Sequence, residues 1–96
     1  MPAYVISEVE ILDETSVANY KPFAKQSVIE FGGTYLARDA VPETLEGSFD
    51  DAQRVVIIRF DTADDARRWY TSDSYAKAIV AADGGLDRRL FIVDGL

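Results

Sequence analysis

The chain has 96 residues, with 17 acidic against ten basic side chains and a formal charge of −7. That balance argues against nucleic acid and anionic membrane as partners, because both attract a positive face. With no cysteine and no histidine, disulfides, thiol chemistry, the commonest general base and the commonest metal ligand are all excluded.

Hydrophobic residues make up 48% and charged residues 28%, the composition of one globular domain spanning 1–96. The start, "MPAYVISEVEIL", has no basic leader and carries Glu8 and Glu10 inside its apolar run. It does not read as a secretory signal. No apolar run approaches the roughly 20 residues of a membrane helix, so the expected location is the cytoplasm.

Residues 3–12 alternate, with Val5, Val9 and Ile11 on one face, and read as a strand. The capping group "DETS" precedes a helical spacing of Val17, Tyr20, Ala24, Val28 and Phe31. Pro22 interrupts that spacing, so a short first turn and a restart near Lys21 are expected. Gly32 falls where the helix should stop in the left-handed conformation. Gly33 then turns the chain into a short strand at about 34–39, ending on Arg38 and Asp39.

"RVVIIRF", 54–60, is a third strand. Thr62, with Asp65 at the capping-box position, opens a helix whose stripe is expected to carry Ala63, Ala66 and Tyr70, with Trp69 off its centre. Ser72 reads as a fresh cap for a helix with Tyr75, Ala78, Ile79 and Ala82 on one face. "DGG" ends it, and "RRLFIVDGL" is the last strand.

The order β-α-β-β-α-β is the ferredoxin-like split βαβ: a four-stranded antiparallel sheet with its helices on one face. Such a sheet should be polar at alternate positions on its bare side. Here Val55 and Ile57 oppose Val56, Ile58 and Phe60, and Leu90 and Ile92 oppose Phe91 and Val93. Both faces are apolar, so a homodimer packed sheet to sheet is expected.

The phrases "EFGGTYLAR", "LEGSF", "RVVIIRF" and "DDARRWYTSDSY", taken together from Tyr4 to Gly95, resemble the family catalogued as domain of unknown function 1330. That family belongs to the dimeric α/β-barrel superfamily, whose ferredoxin-like subunits pair through their sheets. The resemblance implies recurrent positions at Gly32, Gly33, Arg38, Glu46, Gly47, Arg54, Phe60, Ala66, Trp69, Tyr70, Ser72 and Tyr75, and no agreed reaction. Two departures concern ligand preference. Arg59 stands where such sequences usually carry an acid, and "IVAADGG" lacks the basic residue usual two turns after Tyr75.

Two constellations could carry chemistry. Arg38 and Arg54 flank the long connection "DAVPETLEGSFDDAQ". With Glu46 as orienting partner or candidate base they could form an anion-binding corner. The same residues read more readily as an Arg–Glu pair that pins the connection, since structural ion pairs are common at such joins. In "WYTSDSY", Trp69 and Tyr75 could wall a ligand pocket with their N–H and O–H groups or simply pack as core, while Ser72 is read as a cap.

No serine has a histidine to activate it, the G-x-S-x-G elbow is missing, and phosphate-loop and dinucleotide spacings are absent. "DTADD" suits a helix start better than a cation, so neither metal nor cofactor is expected. Two functions remain: a pocket for a small polar or anionic organic molecule, with turnover as in the superfamily's cofactor-free monooxygenases, or a non-catalytic ligand-binding or regulatory homodimer.

Overall fold

The computed structural model describes all residues, 1–96. Its elements run β1 (Ala3–Ile11), α1 (Glu14–Glu30), β2 (Thr34–Ala40), β3 (Gln53–Phe60), α2 (Ala63–Tyr70), α3 (Asp73–Ala82) and β4 (Leu86–Asp94). The strands form one antiparallel sheet in the order β2-β3-β1-β4, which is the ferredoxin-like arrangement. The second helical segment is two helices, α2 and α3, broken at Thr71 and Ser72.

The helix ends follow from local chemistry. The Asp13 carboxylate accepts from Thr15 N–H at 3.0 Å, Thr62 Oγ1 from Asp65 N–H at 3.1 Å, and Ser72 Oγ from Tyr75 N–H at 3.1 Å. At the end of α1, Gly33 N–H donates to Val28 C=O at 2.9 Å and Gly32 N–H to Ile29 C=O at 3.1 Å. That pair of bonds is a Schellman stop, with Gly32 at φ +76.

Gly33 is fixed by packing. A Cβ there would lie 2.7 Å from Val28 Cγ1 and 2.8 Å from Phe60 Cε1, and both neighbours are fully buried. Gly33→Ala is therefore expected to cost about 1–3 kcal/mol by overpacking, read as a lower urea midpoint at unchanged slope.

Three expectations need correction. First, α1 does not restart at Lys21; it runs unbroken through Pro22. The carbonyl that Pro22 leaves without a donor belongs to Ala18, which is exposed, so water can replace the lost bond. Second, the buried pair on α2 is Ala66 and Trp69, and Tyr70 is half exposed. Third, on α3 the buried stripe is Tyr75, Ala78 and Ala82, with Ile79 45% exposed.

The two sheet faces follow from the register. On the helix side, Val5 lies between Ile92 and Ile58, Ser7 between Leu90 and Val56, and Val9 between Arg88 and Arg54. Val5, Ile58, Phe60, Val28, Ala66, Trp69 and Tyr75 form the core there. On the open side the rungs read Val93–Tyr4–Arg59–Thr34, then Phe91–Ile6–Ile57–Ala37, then Arg89–Glu8–Val55–Ala40. The middle rung is apolar throughout, and no element of the chain covers it.

Candidate functional site

A cavity of about 50 Å³ lies between the sheet and the helices. Its floor is sheet: Val5, Ser7 and Val9 from β1, Val56 and Ile58 from β3, Leu90 from β4. Tyr20 and Lys21 reach it from α1, Trp69 from α2 and Tyr75 from α3. Arg88 closes the β4 side, and Tyr35, Arg38 and Asp39 the β2 side.

The β2 groups arrive there through a bulge. Ala37 pairs with Ile57 and Ala40 with Val55, so Arg38 and Asp39 together stand opposite Val56. A bulge re-aims side chains, and Asp39 takes the left-handed φ of 52 to close it, a conformation aspartate tolerates better than most residues. Arg38 donates to Lys21 C=O at 3.1 Å and stands 4.7 Å over the Tyr35 ring. Lys21 Nζ pairs with the Asp39 carboxylate at 2.5 Å.

At the β4 side, Arg88 donates to Tyr20 Oη at 2.8 Å, and Tyr20 and Tyr75 share a hydroxyl hydrogen bond of 3.0 Å. Arg88 makes none of the five ion pairs of the chain. Burial works against its charge, but the Tyr20 and Tyr75 oxygens outweigh burial and hold its pKa above the ordinary arginine value.

Burial, with the Tyr20 hydroxyl beside it, pushes the Tyr75 phenol well above the tyrosine range against the pull of Arg88. Burial likewise takes Tyr35 from 10.0 to about 12, with Arg38 pulling the other way. Both phenols are therefore neutral hydrogen-bond donors at physiological pH. Folding keeps their protons on, so their contribution to stability is complete below pH 10.0, the ordinary tyrosine value, and is lost as pH rises through about 12 for Tyr35. Urea midpoints measured across that window should fall as pH rises.

Trp69 and Tyr75 line the cavity and are also core. The Trp69 Nε1–H is already committed, donating to Ser27 Oγ at 3.0 Å, and Ser27 in turn donates to Ala24 C=O at 2.7 Å. The indole lies 4.3 Å from the Tyr75 ring and 5.6 Å from Phe60, centroid to centroid. Its N–H is not free for a ligand, and its ring adds apolar surface to the lining.

The expected corner of Arg38, Glu46 and Arg54 is not assembled. Glu46 is exposed in the connection 41–52 and is joined to neither arginine. Arg54 Nη1 donates to the Asp51 and Gln53 carbonyls, both at 2.9 Å, and so turns back along its own connection, away from the cavity. Of the three, only Arg38 reaches the cavity.

Ser7, Tyr20, Tyr35 and Arg88 were missed as site residues. Two carried a visible signal. Ser7 breaks the apolar face of Val5 and Val9, and Arg88 falls in the same alternation as Leu90 and Ile92. A polar residue in phase with a buried face needs a reason. Tyr20 was hidden inside an apolar helical stripe, and Tyr35 in a short strand.

Apart from the phenols of Tyr20, Tyr35 and Tyr75, the cavity's ionisable lining is three cations and one carboxylate, which suits an organic anion and not a metal ion.

Solved structures share the fold, among them the following three. A protein of unknown function from Rhodopseudomonas palustris, RPA0582, is 16% identical with a TM-score of 0.78, over 99% of this chain and 82% of that one. SnoaB, a cofactor-independent oxygenase from Streptomyces nogalater, is 10% identical with a TM-score of 0.60, over 99% and 93%. A de novo designed protein, Foldit4, is 12% identical with a TM-score of 0.62, over 100% of both chains. No curated protein matches the chain. The match to the model of the domain of unknown function DUF1330 covers residues 2–96, and the chain belongs to that family.

Proposed function

We propose that the protein is a homodimer, joined through the open faces of two sheets, that binds a small anionic organic molecule in the cavity of each protomer. The observation that carries the ligand reading is Arg88. Its guanidinium lies against the Tyr20 and Tyr75 rings and donates to the Tyr20 hydroxyl, but no carboxylate meets it, and a guanidinium drawn out of water is held best by an anion. The bonds it makes leave several of its five N–H donors free for a carboxylate or a similar group. Val5, Val9, Ile58, Leu90 and the Trp69 face offer an apolar bed for the body of the molecule.

Binding without turnover is the favoured form of this reading. The carboxylate on the cavity, Asp39, is tied to Lys21, and Glu46 stands exposed on the connection. Proton transfer would therefore fall to the Tyr20–Tyr75 hydroxyl pair, whose Tyr75 member is held protonated by burial.

Arg88→Gln removes the charge and keeps much of the bulk. Organic anions that raise the melting temperature of the wild-type protein should bind this variant about 10- to 100-fold more weakly, the worth of a charged hydrogen bond, in isothermal titration. An anion bound equally well by both proteins would place its site elsewhere.

A further inference from the structure

The cavity carries a second unpaired guanidinium, and its position narrows the ligand. Four ionisable side chains other than phenols line the space: Lys21, Arg38, Asp39 and Arg88. Lys21 and Asp39 neutralise one another. Arg38 and Arg88 remain, neither of them in an ion pair, in a chain whose formal charge is −7. Each stacks on tyrosine rings, Arg38 on Tyr35 and Arg88 on Tyr20 and Tyr75, but two cations without a carboxylate partner still give the cavity a local positive field that draws anions, a dianion most strongly.

The two cations approach the cavity from opposite edges of the sheet and two residues apart in register, Arg38 opposite Val56 and Arg88 opposite Val9. Arg38 comes from β2 and Arg88 from β4, the two outer strands in the order β2-β3-β1-β4. Three strand spacings of about 4.8 Å separate those backbones, and both side chains reach inward to line the same cavity. Each has donors to spare. Arg38 spends one nitrogen on the Lys21 carbonyl, and Arg88 one on the Tyr20 hydroxyl. A guanidinium presents five N–H groups in a fork that matches a carboxylate.

Between the two ends the floor is Val5, Val56, Ile58 and Leu90, with the Ser7 hydroxyl as its one polar group. That middle suits methylenes and not a sugar. The volume, about 50 Å³, holds about four waters, the bulk of a short acid and not of a fatty acyl chain.

We propose that the cavity takes a short-chain dicarboxylate, with one carboxylate on Arg88 and the other on Arg38. This rests on the anion-binding reading above and names the ligand class for that site.

The test is isothermal titration of the wild-type protein, Arg38→Gln and Arg88→Gln with malonate, succinate, glutarate and adipate. Butyrate serves as a monoanion and inorganic phosphate as a compact polyanion. Wild type is expected to bind one length of dicarboxylate at least about tenfold tighter than butyrate or phosphate. Each single variant is expected to lose that advantage and to bind the same diacid no better than butyrate. Arg38→Gln also removes a contact to α1 and could loosen the fold. Arg38→Lys, which keeps the charge and loses the fork, should then give an intermediate affinity, and circular dichroism reports whether each variant is folded.

Equal binding of butyrate and the best diacid, with both lost in Arg88→Gln, would overturn the dicarboxylate inference and leave the anion-binding reading standing. A diacid advantage that survives Arg38→Gln in a folded protein would overturn it too, as would phosphate binding as tightly as the best diacid. If no acid binds the wild-type protein, both readings fall together.

Discussion

Trp69→Ala is expected to destabilise the protein by about 3–5 kcal/mol, the cost of deleting a buried large aromatic. The indole is 2% exposed, lies in contact with Tyr75 and Phe60, and joins α2 to α1 through Ser27. A domain of this size has only about 5–14 kcal/mol of stability in all. At about 4–8 °C for each kcal/mol, the melting temperature should drop by roughly 12 °C or more.

Ser27 limits one part of the damage, because its hydroxyl still donates to Ala24 C=O when the indole is gone. Trp69→Phe separates the two contributions. It keeps most of the packing and loses the N–H bond, so it should cost well under half as much as the alanine variant. Trp69 is the one tryptophan of the chain, so melting must be followed by circular dichroism at fixed protein concentration. A loss below about 1 kcal/mol for Trp69→Ala would mean that the cavity collapses onto the gap, contrary to the packing described.

Ile6→Glu is expected to convert the proposed dimer to a monomer with little change in the fold of the subunit. Ile6 sits at the centre of the open face, between Phe91 and Ile57 in cross-strand register. In a two-fold dimer one substitution enters the interface twice, so two carboxylates would be buried close together without partners, at several kcal/mol each. In the free subunit the same glutamate would be solvated, as Glu8 two residues on already is where it pairs with Arg89. Light scattering at micromolar concentration should give twice 10.7 kDa for the wild-type protein and half that mass for the variant. Glu10→Lys, at the rim, serves as the control that keeps the dimer. A wild-type protein that is already monomeric would remove the dimer from the proposed function. The cavity reading would survive it, since the cavity lies on the opposite side of the sheet.

The caps at Thr62 and Ser72 and the stop at Gly32 were legible because they are local. A hydroxyl or a missing Cβ acts on the next few backbone groups, and the side chains involved are neighbours in sequence. The order of strands and helices along the chain was legible as well, since period-2 and period-3.6 patterns alternate cleanly. The apolar open face could be read from Val55 and Ile57 opposing Val56 and Ile58, because alternation reports both sides of a strand at once.

Phase on the short helix was not legible. On eight residues, Ala63, Ala66 and Tyr70 fit a stripe as well as Ala66 and Trp69 do. Only the position of α2 over β1, β3 and β4 decides which aromatic is buried. Nor could the sequence show that Arg38 and Asp39 stand together opposite Val56. A bulge is a relation between two strands, and nothing in β2 alone reveals its register against β3.

By itself, then, the sequence determined the order of the elements, where the first helix stops, where the two later helices are capped, and that both sheet faces are apolar. Tertiary structure decided the site. It separated Glu46 and Arg54 from Arg38, and it brought Arg88 from one end of the chain to Tyr20 near the other. Capping and alternation act within a few residues, whereas a cavity is assembled by side chains whose only connection is the sheet that carries them.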